Sequence, residues 1–326
     1  MTKTTQPSTL ARGYTIALIS AVFLSTTAIL IRYLTVTYAL PALVLAFWRA
    51  VFVAFTLLVF FALFQRTLLR MEKRHMPYLV IYGFVLALFN SLWTISVAEN
   101  GAAVATVLVY CSAAFTALLG WWLLKERLDG IKLLVVALSL GGCVLVSEAL
   151  DPAIWRMNAF GIVTGVLAGL LYAVYTLMGR SASQRGLNPW SALLYIFAFD
   201  ALFLLLFNLL FGRILPGGAR QIADLFWLGN AWAGWGVLFI LAAVPTVAGF
   251  GLYNVSLVYL PSSVTNLVVT SEPVFTAVFA YFLLGERLKA VQIGGSLLIM
   301  TGVVILRIHE GRMARKNLQI PRDLQV

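Results

Sequence analysis

Long apolar segments separated by short polar connections run through almost the whole chain. Each segment has about 20 mostly apolar residues, the length a helix needs to cross the hydrocarbon core of a bilayer. The segments are continuous, unlike the short alternating strands of membrane β-barrels. The pattern therefore predicts an all-α, polytopic membrane protein with ten transmembrane helices. We number these predicted spans 1 to 10: 13–35, 42–64, 77–98, 102–124, 131–148, 159–180, 190–211, 234–258, 262–284 and 290–308.

The sequence also contains an internal repeat. Residues 91–146 align with residues 251–306 without a gap and share 15 identical residues in 56 positions. Upstream the offset is 148, which aligns Gly13 with Gly161. Each copy holds five spans, an odd number, so the second copy must enter the membrane from the opposite side. We therefore expect two inverted five-helix repeats, an arrangement typical of transporters.

The repeat divides the chain into five predicted parts. These are a cytoplasmic N-terminal tail (1–12), the first repeat (13–148), an external linker (149–158), the second repeat (159–308) and a basic cytoplasmic tail (309–326). The one substantial connector within a repeat, residues 212–233, has an apolar face beside a polar one and several tryptophans. This pattern predicts a short helix in the external membrane interface, which acts either as an anchor or as a lid over a site.

Composition supports the membrane assignment, and charge sets the orientation. The chain is 62% hydrophobic and 11% charged, with a mean hydropathy of +0.96 and a net charge of +11. A soluble domain carries about 25% charged residues. With the N-terminus in the cytoplasm, 16 Lys and Arg residues fall on the inner side and 6 on the outer side. This bias predicts a multi-pass protein of the cytoplasmic (inner) membrane with both termini cytoplasmic, and it explains the basic residues without a nucleic-acid partner.

The sequence shows none of the patterns typical of an enzyme or a metal site. His75 and His309 are the two histidines, and both lie outside or at the end of a span. Paired-cysteine zinc spacing, a phosphate loop and a nucleophile elbow are all missing from the sequence. Cys111 and Cys143 lie within spans, where small-residue packing is expected. We therefore predict a non-enzyme without a cofactor or metal.

Ionisable residues within spans are the strongest candidates for function, because a charge at the bilayer centre costs at least ~2.5–3.5 kcal/mol. Arg49 lies in span 2, Asp200 in span 7 and Glu272 in span 9. One interpretation is that Arg49 pairs with one of the acids and locks the helices together. The other is that Arg49 meets a substrate carboxylate while Glu272 or Asp200 binds a coupling proton. Pro273 follows Glu272 and predicts a kink at this acid.

Polar and aromatic residues accompany these charges and suit a cavity for a small amphipathic molecule. The predicted substrate-binding set consists of Arg49, Trp48, Asn90, Trp93, Tyr175, Tyr253, Asn254, Asn266 and Ser271. For any one aromatic residue in the set, plain packing is the competing interpretation.

The run Ser271-Glu272-Pro273-Val274-Phe275, followed by Leu284-Gly285-Glu286-Arg287-Leu288, resembles the drug/metabolite transporter superfamily in its EamA group. The resemblance covers about residues 13–308. It implies an inner-membrane carrier, often an exporter of amino acids or other metabolites, in which spans 1–4 and 6–9 line the cavity. Trp48-Arg49 also resembles the arginine of that family's second span. The first repeat departs from the pattern, because Ala113 stands where Pro273 falls in the second, so a symmetric proline hinge is not expected.

Together these observations favour a secondary transporter that moves small polar or amphipathic metabolites, such as amino acids, by alternating access and in the direction of export. Uptake or metabolite antiport is the alternative within transport, and a non-transporting membrane protein is the alternative outside it. The expected partners are a small-molecule substrate and membrane lipid, in a monomer or a homodimer.

Overall fold

A computed structural model describes residues 7–146, 151–152, 159–284 and 289–319. The predicted external linker falls mostly outside these residues, as does the Glu286 corner. Within the described part, the secondary structure is helical, and the predicted all-α membrane fold is confirmed. Seven helical segments are long and apolar enough to cross a membrane, and the shorter apolar helices 108–124 and 130–145 accompany them.

Thirteen α-helices make up the ten spans in the part of the chain that the structure describes. In chain order they are α1 Pro7–Ser25, α2 Thr27–Thr37, α3 Ala42–Phe64, α4 Met76–Tyr110, α5 Ser112–Leu124, α6 Gly130–Val146, α7 Ala159–Gln184, α8 Pro189–Phe211, α9 Trp232–Leu241, α10 Val247–Tyr259, α11 Ser262–Val269, α12 Glu272–Leu284 and α13 Ala290–Gln319. Span 1 is α1 with α2, span 8 is α9 with α10 joined by a π-helical turn at Ala242–Thr246, and span 9 is α11 with α12.

The prediction of a non-helical loop between spans 3 and 4 is wrong, but the predicted reversal of chain direction between them is present. The backbone of α4 stays helical through Asn100 and onward to Tyr110. A Cβ on Gly165 would nevertheless lie 2.8 Å from Ser96 Oγ and 2.7 Å from Leu108 Cβ. A straight helix would separate positions 96 and 108 by about 18 Å. The chain therefore reverses within α4, and spans 3 and 4 are antiparallel.

The structure contains matching helix breaks in the two repeats. At Cys111, the N–H bonds to Leu108 O, and Cys111 O accepts from Ala114 and Phe115 N–H. Ser271 is the repeat-mate of Cys111, that is, the residue at the aligned position of the other repeat. Its three backbone hydrogen bonds, to Val268, Val274 and Phe275, are equivalent to those of Cys111. Shortened i→i+3 bonds of this kind tighten a helix locally. The break is therefore shared although only the second repeat has a proline.

Each span packs against a span of the other repeat, and the contacts obey the repeat's symmetry. In the contact between spans 1 and 8, a Cβ on Gly13 would lie 2.7 Å from Leu260 Cγ. The mates of these residues, Gly161 and Asn100, meet in the same way between spans 6 and 3. Span 1 runs antiparallel to span 8, because Gly249, eleven residues before Leu260, lies against Leu24 near the other end of α1.

Spans 5 and 10 form a further antiparallel pair. A Cβ on Gly142 would come within 2.8 Å of the Gly295 carbonyl oxygen, and its mate Gly302 lies against Leu138. Such close approach of two backbones is the way membrane helices associate without a hydrophobic driving force. Because repeat-mates cross the molecule in opposite directions, the inverted five-plus-five fold is confirmed.

The connector 212–233 closes over the end of span 2. It contains a short 3₁₀-helix, Ile222–Phe226, capped by Gln221 and Asp224, so the predicted short helix is present. Gly217, with a left-handed φ of +74°, brings its carbonyl to the N–H of Leu43 at 2.8 Å. The connector is thus fixed to the start of span 2 by backbone contacts.

The opposite end of the molecule is held by polar contacts around span 5. Lys132 is 2% exposed, and its Nζ donates to Arg127 O at 2.7 Å and lies 3.2 Å from Glu310 Oε1. His309 Nε2 and Asp129 Oδ2 are 2.8 Å apart. Burial alone would raise the pKa of Asp129, but hydrogen bonds from Lys132 N–H and His309 hold it below its usual value. These contacts fix the end of α13 beside α6.

Candidate substrate-binding site

Three helix breaks converge on one small cavity. The breaks lie at Thr26 in span 1, Cys111 in span 4 and Thr270–Ser271 in span 9. The cavity has a volume of about 40 Å³ and is lined by Leu24, Thr27, Phe89, Trp93, Val109, Tyr110, Tyr172, Phe250 and Glu272. Residues of both repeats surround it, so it lies at the interface between the two halves.

Serine and threonine hydroxyls satisfy backbone carbonyls at two of the breaks. Ser25 Oγ donates to Val22 O at 2.6 Å, and Thr26 Oγ1 donates to Phe23 O at 2.9 Å. In span 9, Thr270 Oγ1 and Ser271 Oγ donate to Leu267 O and Val268 O. Side chains of this type re-satisfy backbone groups that a broken helix frees in the membrane. The structure therefore places the Ser271 hydroxyl, predicted to contact substrate, on its own helix.

Glu272 is the acidic residue of the cavity. It is the first residue of α12, where the positive end of the helix dipole favours a negative charge. Tyr110 lines the same cavity. Thr27 also lines the cavity, and its buried hydroxyl has no partner among the described residues. An acid and a free hydroxyl thus face the same small space.

Arg49 and Asp200 belong to a buried relay next to this cavity. Arg49 Nη2 donates to Asn90 Oδ1 at 2.6 Å, and Asn90 Nδ2 donates to Asp200 Oδ2 at 2.7 Å. All three residues are at most 1% exposed. The Arg49 guanidinium also lies 5.5 Å from the centre of the Trp93 ring, which connects the relay to the cavity wall. Asn90 therefore bridges the two charges, which form no direct ion pair in the described coordinates.

The relay leaves several strong hydrogen-bonding atoms without a protein partner. Within the described chain, Arg49 Nε and Nη1 and Asp200 Oδ1 are buried and unbonded. If these residues only held the helices together, these atoms would be expected to form hydrogen bonds within the protein, since each unpaired buried polar group costs about 1–3 kcal/mol. The geometry leaves two donors of Arg49 free for an anionic group.

Stacked tyrosines lead away from the cavity toward the predicted cytoplasmic end. Tyr172, in the cavity wall, lies 5.6 Å from Tyr253 and 6.2 Å from Tyr175, measured between ring centres. Asn254 Nδ2 donates to the Tyr175 hydroxyl at 2.7 Å, while the hydroxyls of Tyr253 and Thr176 are 2.6 Å apart. Three predicted site residues, Tyr175, Tyr253 and Asn254, thus form one buried layer below the cavity.

The remaining predicted residues lie at other places. Asn266 joins spans 4 and 9, because its Oδ1 accepts from Ser112 Oγ at 3.4 Å. Trp48 points to the connector 212–233: its indole Nε1 donates to Leu225 O at 2.5 Å, and its ring centre lies 5.6 Å from that of Phe226. The structure therefore separates Trp48 from the cavity and from its neighbour Arg49.

Sequence reasoning missed the apolar part of the site. Phe89 lines the cavity, and Tyr82 donates to Asn254 Oδ1 at 3.3 Å. Both share a helical face with Trp93, because positions 82, 86, 89 and 93 recur at intervals of three and four. That spacing was visible in the sequence and could have located them. Leu24 and Phe250 gave no signal, since each stands within a uniformly apolar span.

Span 4 is joined to span 9 at the predicted cytoplasmic end by what we term the Glu126 bracket. Glu126 Oε1 accepts from Ser262 N and Oγ at 2.7 and 2.6 Å, and Oε2 accepts from Ser263 N and Oγ at 3.1 and 2.7 Å. Lys125 has a left-handed φ of +55° and Glu126 N–H bonds Gly120 O, a helix ending that directs Glu126 toward α11. The carboxylate therefore caps α11 and ties the two repeats together.

The fold and the cavity together define a class of protein. Inverted helical repeats with a site at their interface, formed by discontinuous helices near mid-membrane, are characteristic of membrane transporters. Residues 11–148 and 159–308 match the EamA-like transporter family. The chain belongs to this family, and the resemblance noted in the sequence is confirmed.

Individual relatives agree with this assignment. The chain is 29% identical over 224 residues to an uncharacterized transporter of Archaeoglobus fulgidus, covering 68% of this chain and 74% of the relative. It is 27% identical over 276 residues to a probable amino-acid metabolite efflux pump of Escherichia coli, covering 82% and 85%. A crystal structure of a protein at 14% identity superposes with a TM-score of 0.71, covering 95% of this chain and 99% of the other, which supports the fold.

We predict that Asn90→Leu destabilises the protein, because it removes the amide that hydrogen-bonds both Arg49 and Asp200 and leaves the two charged groups buried without it. The expected loss is about 3 kcal/mol or more in the free energy of unfolding. Thermal unfolding in detergent measures it. Thr94→Val, one turn along the same helix, is the matched control, since the buried Thr94 hydroxyl has no partner among the described residues. Equal stability of the two variants would contradict the relay.

Proposed function

We propose that this protein is a secondary transporter that exports small polar or amphipathic metabolites, amino acids or related compounds, across the cytoplasmic membrane by alternating access. The observation that carries the proposal is the convergence of three helix breaks on a cavity that holds Glu272 and adjoins Arg49. Breaks in membrane helices present backbone groups and local dipoles to a substrate. The name of the Escherichia coli relative supports amino-acid metabolites and the direction of export.

The two ends of the site fit a substrate with a negative group and an apolar body. The free N–H groups of Arg49 suit a carboxylate, which guanidinium binds with charge-assisted hydrogen bonds. The aromatic walls, Phe89, Trp93 and Tyr172, suit an apolar or flat side chain. Glu272, and Asp200 as the second candidate, would accept the coupling proton.

The cavity must expand before it can hold such a substrate. Sites for small molecules have volumes of roughly 300–1,000 Å³, so a cavity of about 40 Å³ is too small for one. The tyrosine layer and the Glu126 bracket close the path on the predicted cytoplasmic side. Substrate entry then requires the two halves to separate on one side.

Uptake or metabolite antiport uses the same site and differs only in the gradients that drive it. A non-transporting receptor would bind the same ligands without flux. The first test is therefore flux itself, measured on the whole protein.

We expect purified protein in liposomes to move labelled amino acids from a broad panel, at rates above those of protein-free liposomes. Comparing a proton gradient of each sign separates export from uptake, and loading unlabelled substrate inside reveals exchange. Binding of a ligand without any flux across the panel would contradict the carrier proposal.

Glu272→Gln should abolish proton-driven accumulation while exchange of substrate for substrate continues. The glutamine keeps the size of the side chain but carries no titratable proton. Transport is measured in liposomes across a range of pH values, and Asp200→Asn serves as the comparison. Unchanged pH dependence in Glu272→Gln, together with its loss in Asp200→Asn, would transfer the coupling role to Asp200.

Glu126→Gln should open the predicted cytoplasmic path. Each hydrogen bond to a charged group contributes about 1.5–3 kcal/mol, so weakening the bracket favours the open state on the order of tenfold. The measurement is the rate at which a thiol reagent labels a cysteine at Thr176 in a background lacking Cys111 and Cys143. Glu72→Gln, an exposed acid paired with Arg74, is the control. A rate that matches the control would exclude a gating role.

A further inference from the structure

A second, larger groove lies at the opposite end of α1 from the helix break at Thr26. It has a volume of about 410 Å³ and lies between one face of α1 and one face of α13. Its lining residues are Leu10, Ala11, Tyr14, Arg307, Ile308, Gly311 and Arg312. The volume falls within the range of ligand-binding clefts. By the charge distribution, this groove opens at the cytoplasmic surface of the membrane.

Three donors without partners converge on this groove. The Tyr14 side chain is 2% exposed, and its hydroxyl has no hydrogen-bond partner in the described structure. Arg307 and Arg312 are exposed, and the described residues give neither of them an ion pair. A buried polar group is normally satisfied, so the free Tyr14 hydroxyl points to a ligand that accepts a hydrogen bond.

The acid nearest in sequence does not neutralise these arginines. Glu310 lies between them along α13 and its charge also acts on Tyr14, but its carboxylate is paired with Lys132, whose Nζ lies 3.2 Å away. Its neighbour His309 contacts Asp129. The two arginines therefore leave a net positive charge at the groove, and a complementary ligand is an anion.

The walls of the groove are apolar, which distinguishes it from a site for a free anion. Leu10, Ala11 and Ile308 provide these walls beside the arginines. Gly311 leaves the groove open, since a Cβ there would meet no atom within 4 Å. Basic pockets between membrane helices on the cytoplasmic side bind anionic lipid head groups.

We propose that this groove binds an anionic phospholipid, with its phosphate diester held by Arg307, Arg312 and the Tyr14 hydroxyl. The acyl chains extend from the groove toward the bilayer interior. The lipid thereby joins the first span to the last, next to the contacts that fix α13 to α6.

The experiment is native mass spectrometry of the full chain in detergent, titrated with phosphatidylglycerol or with phosphatidylcholine carrying the same acyl chains. We expect phosphatidylglycerol to bind more tightly. Arg307→Gln combined with Arg312→Gln should weaken its binding on the order of tenfold and leave phosphatidylcholine binding unchanged, because each basic residue contributes to attraction of an anionic head group.

The matched control is Arg66→Gln combined with Arg70→Gln, which removes the same charge from exposed residues at the predicted cytoplasmic surface outside the groove. It should bind phosphatidylglycerol as the wild type does. A loss equal to that of the groove variant would show a general charge effect and overturn the proposal.

Gly311→Leu tests the space itself, since it fills the groove and leaves both arginines in place. We expect it to weaken phosphatidylglycerol binding at least fivefold, and Tyr14→Phe to weaken it by a smaller factor. Thermal unfolding without added lipid should be nearly unchanged in Tyr14→Phe, because the hydroxyl has no protein partner. Undiminished binding in both the Gly311→Leu and the double arginine variants would exclude this site.

Discussion

Everything in this molecule depends on antiparallel packing between each helix and a helix of the other repeat. In lipid, no hydrophobic force drives helices together, so close contact must supply the association energy. Glycines at repeat-related positions permit that contact: Gly13 and Gly161 at the ends of spans 1 and 6, and Gly142 and Gly302 within spans 5 and 10. These contacts place the cavity at the interface between the two halves.

The chain departs from its own symmetry at the positions that carry charge. Arg49 aligns with Phe197, and Glu272 aligns with Ser112. The Glu126 bracket is asymmetric in its donors instead: Glu126 aligns with Glu286, but Ser262 and Ser263 align with the alanines at positions 102 and 103. In the proposed transport cycle, a symmetric scaffold would make the two closed states similar in energy. The asymmetric charges would then determine which substrate group binds and which side is held more firmly.

Much of the fold followed from the sequence, because the signals involved are long and additive. Span lengths, the repeat offset and the odd number of spans per copy predicted the inverted topology. The turn between spans 3 and 4 did not follow, since Asn100 and Gly101 suggested a loop where the backbone remains helical. The break at Cys111 was also hidden. It needs neither proline nor glycine, only the same shortened backbone bonds that its mate Ser271 makes beside Pro273.

The candidate site was harder to predict, because composition identifies polar residues in a span but gives their direction only approximately. Trp48 and Arg49 are neighbours in sequence, yet a helix turns about 100° per residue, and the two side chains face a surface connector and a buried relay respectively. The bridging role of Asn90 required three helices in register. What the sequence did indicate correctly is that an arginine this deep needs an acid, and the structure adds that the two are joined through an amide. An amide bridge can be displaced by a carboxylate more easily than a direct ion pair can, because the amide carries no charge. The relay is therefore suited to exchange its internal partner for a substrate.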